Sequence, residues 1–171
     1  MSSSSNRLAI GQGLQLLLQA IQNPTTGQPL YAGVQLGAYV GNSMATLPSW
    51  AEVTFYQGKS GPAGSGGSLI GWRIEDEVTF QITSGWDYEL DSPTAMAAML
   101  TAQDIVLPLL HSHVAIPSPA NPAQPIASVW NVLEELPDRA QPVRIPGGHI
   151  YLLWHVFVLV KQQYNVVLTT P

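Results

Sequence analysis

Apolar and polar positions along this chain recur in two rhythms, one helical and one strand-like. Over residues 7–22, Ile10, Leu14, Leu17 and Ile21 follow 4-3-4 spacing, and Leu18 widens the stripe. This predicts an amphipathic helix, weakened by Gly11 and Gly13 and stopped by Asn23-Pro24. Residues 1–6 read as a disordered polar tail. Residues 23–50 are rich in Gly, Pro, Thr and Ser, with room for a short strand within 31–40. Residues 52–57 read as a strand, with Val53 and Phe55 on one face. Residues 58–68, Gly-Lys-Ser-Gly-Pro-Ala-Gly-Ser-Gly-Gly-Ser, bury nothing and read as a flexible hairpin loop. The clearest alternation spans 69–83. Ile74, Val78, Phe80 and Ile82 share one face, while Glu75, Glu77, Thr79, Gln81 and Thr83 share the other. Asp76 falls on the apolar face, which places it near an edge or an end.

The second half repeats the mixture. After a turn over 85–90, Ser92 suits an N-cap and Pro93 a first helical residue. The helix runs to about His111 with a stripe of Ala95, Met99, Ala102, Val106 and Leu109, and Pro108 should kink or end it. Residues 114–126 hold Pro117, Pro119, Pro122 and Pro125 and read as an extended connector. Residues 127–136 read as a strand, with Val129 and Leu133 on one face and Trp130 and Val132 on the other. Residues 149–162 form a long strand. Ile150, Leu152, Trp154, Val156, Val158 and Val160 face the core. His149, Tyr151, Leu153, His155, Phe157 and Leu159 face elsewhere, and that face is also largely apolar. A strand apolar on both faces is covered on both sides. Its second face should meet a helix or a neighbouring subunit, which makes Tyr151, His155 and Phe157 inter-subunit candidates. Residues 164–171 would add an edge strand or reach a partner. No internal repeat is visible. The element order describes one α+β domain over 1–171: a mostly antiparallel mixed sheet packed against two α-helices, with a long flexible hairpin loop.

Charge changes the picture. Only 10% of residues are charged, against about 25% in a typical soluble domain. A surface so poor in charge suits burial against other subunits. The net charge of −5 opposes a protein that grips nucleic acid phosphates. The absence of Cys excludes thiolate metal sites, Fe–S clusters and Cys nucleophiles. No charged-then-apolar leader opens the chain. The apolar run 150–160, at 11 residues, is too short to span a bilayer. These features point to a soluble protein made in the cytoplasm, with no membrane partner.

The candidate chemistry is sparse. Gly58-Lys59-Ser60 echoes the end of a phosphate-binding loop, but Val53 stands where that motif needs Gly, and a strand follows where it needs a helix. His111 and His113 sit at a helix end, where the dipole favours a cation. His149 and His155 share a strand face. No carboxylate ligand is evident beside them, so no metal is expected. No Gly-x-Ser-x-Gly elbow is present. Neither a catalytic set nor a cofactor site emerges, and an enzyme is not expected. Trp72, Trp86 and Tyr88 are available to a sugar- or peptide-binding module or to local packing. The most distinctive feature is acidic. Six of the 11 carboxylates, Glu75, Asp76, Glu77, Asp87, Glu89 and Asp91, fall within 75–91, with Arg73 as the nearby cation. They form either a solvated strand face or a surface that repels a passing polyanion.

The order of these elements resembles the tail terminator proteins of long-tailed bacteriophages, the head–tail junction ring proteins of the lambda U type. The resemblance is carried by the helix 8–22, the strand 52–57, the loop 58–68, the strand 74–83, the helix 92–110 and the strands 127–136 and 149–162. The Pro-rich 116–126 and the Gly/Pro-rich 23–50 look like enlargements. The resemblance implies a homo-oligomer, a hexameric ring in the virion assembled in the host cytoplasm. That ring caps the tail tube, joins it to the neck or connector proteins and leaves a channel through which DNA passes without specific binding. It implies lumen-facing roles for Glu75, Glu77, Asp87, Glu89 and Asp91. It also implies that the loop residues Gly58, Lys59, Ser60, Gly61, Gly64, Gly66 and Gly67 contact a neighbouring ring or the tube. The rivals are another neck, head-completion or tail-tube protein, and a small ligand-binding domain or hydrolase.

Overall fold

The computed structural model describes residues 3–37, 46–62, 71–88, 92–135, 142–145 and 149–167. The strands are β1 (Gly33–Leu36), β2 (Ser49–Pro62), β3 (Gly71–Asp87), β4 (Ala115–Pro117), β5 (Pro125–Glu135), β6 (Pro142–Arg144) and β7 (Ile150–Val167), and the helices are α1 (Ser3–Gln19) and α2 (Ser92–His111). The sheet order is β1-β2-β3-β7-β5-β4, and β6 pairs with the start of β7. Among the described residues, only β1 on β2 is parallel. The α+β expectation therefore holds: a mixed, mostly antiparallel sheet with two helices.

Both helices contribute to one core. The α1 stripe is Ile10, Leu14 and Leu18, continued by Ile21 just past the helix end, and the α2 stripe is Ala95, Met99, Ala102, Val106 and Leu110. Leu110 takes the place expected for Leu109, and Leu18 that of Leu17. The opposing sheet residues are Val53, Val78, Phe80, Ile82, Leu152, Trp154, Val156, Val158 and Val160. Ser92 begins α2 with Pro93 behind it, and the helix continues past Pro108 to His111. Residues 93–111 of α2 have the length and mean hydropathy of a membrane span, but its apolar stripe is committed to the sheet.

The two helical glycines are close-approach positions. A Cβ at Gly11 would lie 2.8 Å from Leu36 Cδ1, and one at Gly13 would meet Pro117 O and, at 2.5 Å, Ile116 Cγ2. These glycines cost helix propensity but let α1 lie on β1 and β4.

Several boundaries differ from the sequence reading. Helix α1 begins at Ser3, inside the expected tail. The connector 114–126 is a β-hairpin: β4 pairs with β5 from Ala115↔Ser128 to Pro117↔Pro125. The strand at 52–57 extends to Pro62, so Gly58, Lys59, Ser60 and Gly61 are ladder residues opposite Val78, Glu77, Asp76 and Glu75. Pairing supplies backbone hydrogen bonds that composition does not reveal. Gly64, Gly66 and Gly67 lie outside the described residues. In β5, an irregularity between Val129 and Asn131 shifts the phase. Val129 and Val132 therefore face the core, while Trp130 and Leu133 are exposed. A bulge of this kind breaks a strict two-residue alternation.

Asp76 is neither at an edge nor at an end. It sits in β3, between β2 and β7, and is fully buried. Arg7 of α1 grips it with two bonds, Nε to Oδ2 at 3.2 Å and Nη2 to Oδ1 at 2.9 Å. The same guanidinium lies 5.9 Å from the centre of the Phe55 ring. A carboxylate on an apolar strand face is tolerated because the helix brings its cation.

Candidate functional site

The sheet face opposite the helices is where the expected assembly residues gather. Strand alternation puts Tyr56, Thr79, Gln81, Thr83, His155, Phe157, Leu159 and Lys161 on it. Tyr56 and Phe157 meet edge to face with ring centres 4.9 Å apart. Lys161 lies 4.5 Å from the centre of the Trp130 ring, a cation–π arrangement. Tyr56, Trp130 and Leu133 are each more than half exposed. The face thus carries large apolar side chains in the open.

At one end this face is closed by the chain itself. Tyr151 is fully buried in a second small cluster with Trp50 and Ile145. Its hydroxyl donates to Leu47 O at 2.8 Å, and its ring meets Trp50 edge-on at 5.6 Å. Tyr151, an expected inter-subunit contact, is thus covered within the subunit itself. The segments before β2 and around β6 cover it, a closure that strand periodicity does not contain. Trp50 in turn requires Gly85 opposite, where a Cβ would come within 2.5 Å of the indole. Of the other two candidates, Phe157 is half-buried beside Tyr56. His155 Nδ1 is 3.1 Å from both the Thr83 hydroxyl and the Gln81 amide.

The acidic set divides. Glu75 and Glu77 are partly exposed on the helix-free face, and Lys161 bridges them at 3.3 and 2.9 Å. The Lys161 ammonium is held above its ordinary pKa, first by the hydrogen bond to Glu77 and then by Glu75, against a partial loss of hydration. The expectation that Arg73 was the nearby cation missed Lys161, which the β3–β7 register delivers opposite Glu77. Asp87, expected to face a lumen, is instead covered within the subunit. It ends β3, is buried, and its Oδ2 lies 2.7 Å from His149 Nδ1. Glu89 and Asp91 lie outside the described residues.

His113 has a φ of 54° and places Nδ1 3.1 Å from Val129 O. Among the described residues, no group of three or more His, Cys, Asp and Glu is arranged to hold a metal ion. Trp86 is buried, with its ring 6.1 Å from Tyr31. Burial raises the Tyr31 phenol to about 12, partly offset by its hydrogen bond to Ser84. Beside them is a cleft of about 340 Å³ between the 23–30 turn, the start of β2 and the first half of α2, lined by Trp86, Asp87, Thr94 and Thr101 among others.

No family model matches the chain, and no curated protein matches it. Among solved structures, it is similar to one described as the sheath/tube terminator, in its extended state, of an extracellular contractile injection system, PVC. The identity is 14%, the TM-score is 0.47, and the match covers 96% of this chain and 59% of the other. The chain thus spans less than two thirds of that neighbour's length.

Proposed function

We propose that this chain is a non-enzymatic structural subunit of a phage-type tail, closing the tail tube as a ring at its head-proximal end. The observation that carries the reading is the helix-free sheet face, where Tyr56, Trp130 and Leu133 stand exposed in a protein with only 10% charged residues. Exposed aromatics on a surface depleted in charge are the composition of a protein contact. The element order supports the same reading. In such a ring, Glu75 and Glu77 lie where that contact face meets the lumen, and with Lys161 between them they keep a net negative charge toward DNA phosphates. The tube and neck proteins are the partners, and the particle is the site of action.

Electron microscopy of the purified chain, concentrated and mixed with tail tubes, tests this. Rings, and a cap of density at one tube end, are the expected result. Long tubes of the protein alone would replace the terminator reading with a tail-tube one. Absence of any tube-end density would refute both. A ligand-binding domain is the second reading, favoured by the cleft beside Trp86 and Asp87, whose volume falls in the range of small-molecule sites. Saturable quenching of Trp86 fluorescence by a small-molecule library, absent in Trp86→Phe, would support it.

A further inference from the structure

The far ends of β2, β3 and β7 form a three-stranded tongue whose two outer edges are open among the described residues. Strand β1 covers β2 only from Trp50 to Val53, and β5 covers β7 only as far as Lys161. Beyond those points, among the described residues, β2 continues to Pro62 and β7 to Val167, each paired with β3 alone.

Backbone bonds elsewhere in the ladder set which groups point outward. Ile150 O accepts from Tyr88 on the β3 side, and His149 O accepts from Ile145 on the other. Even-numbered residues of β7 therefore point to β3, and Gln163, Asn165 and Val167 point away. Val53 O accepts from Gly37 on the outer side of β2. The register shift between Phe55 and Gln57 then makes Gly58 and Ser60 the outward pair. The β7 edge thus presents outward N–H and C=O groups at Gln163, Asn165 and Val167, and the β2 edge presents them at Gly58 and Ser60 and a C=O alone at Pro62.

Exposed edges of this kind recruit another strand. We infer that the β2 edge of one copy pairs with the β7 edge of the next, so that the tongue builds one sheet continuous around a closed ring. A second copy is the occupant because each copy carries both edges, so that one copy's β2 can meet the next copy's β7 at every joint of a ring. Both β2 and β7 run antiparallel to β3, so copies related by rotation join them in parallel. A two-fold pairing of β2 with β2 would leave every β7 edge open. Head-to-tail pairing consumes both edges and closes. Pro62 agrees with an edge strand, where a missing donor is tolerated. The inference rests on the ring-forming part of the proposed function and is independent of the tail. Rings that form but ignore tail tubes would sink the tail reading alone.

Edge-blocking prolines test it. Ser60→Pro and Asn165→Pro each remove one outward N–H without touching the bonds to β3. Native mass spectrometry of concentrated wild type should give closed rings. Each variant alone should weaken association on the order of tenfold or more per contact and keep its far-UV circular dichroism. The two variants mixed should form one-to-one heterodimers that stop at two, because each retains the edge the other lacks. A wild-type chain that stays monomeric, or a mixture that forms no heterodimer, overturns the inference. So does an Asn165→Pro chain that associates as wild type does, which is the signature of β2–β2 pairing.

Discussion

Replacing Arg7 by Met tests what anchors α1 to the tongue. The Asp76 carboxylate is fully buried and receives two bonds from Arg7, whose side chain is 28% exposed. Removing one member of a buried ion pair costs roughly 3–5 kcal/mol, because the remaining charge loses its principal counter-charge. The partial exposure of Arg7 puts this pair at the lower end, about 3 kcal/mol. That is a large share of a domain stability of roughly 5–15 kcal/mol. For a chain of this size it corresponds to a melting-point fall of roughly 6–12 °C. The double variant Arg7→Met, Asp76→Leu removes both charges and should recover most of the loss, since apolar replacement of a buried pair is often neutral. Urea unfolding of wild type, both single variants and the double variant closes the cycle. A single-variant loss below about 1 kcal/mol, or a double variant no better than the sum of the singles, would refute the claim that this pair determines where α1 sits.

Two further outcomes follow from the same packing. Gly13→Ala gains helix propensity of about 1 kcal/mol, yet its methyl would run into Pro117 O and Ile116 Cγ2. A net loss of roughly 1–3 kcal/mol in urea unfolding is expected, and stabilisation would contradict the close approach of α1 to β4. Tyr31 links stability to alkaline pH. Its phenol is raised to about 12 by burial, so its neutral form favours the fold. That contribution is complete below pH 10 and is lost as pH rises through 12, about 3 kcal/mol over the two units. Lys161, raised chiefly by Glu77, loses its contribution in the same direction above its ordinary value. The urea midpoint should fall between pH 10 and 12, and less steeply in Tyr31→Phe; a flat profile would refute the Tyr31 assignment.

The periodic elements were legible in the residues alone. Two helical stripes and the alternations of 74–83 and 150–160 each bury a face, and burial of a face imposes a period. The α+β class followed from their order. Three features did not, and each depends on partners distant in the chain. Asp76 breaks its alternation because Arg7, 69 residues away, compensates it. The second face of β7 was legible as apolar. That Tyr151 is covered by Leu47 and Ile145 of the same chain, while Phe157 stays partly open, was decided by where the segments before β2 and around β6 fold back. Residues 58–62 look like loop because Gly, Ser and Lys bury nothing, yet β3 pairs with them throughout. Composition reports what a side chain prefers, whereas a ladder is made by backbone groups that every residue carries. Residue patterning therefore determined which faces are buried, and tertiary structure decided which edges remain open.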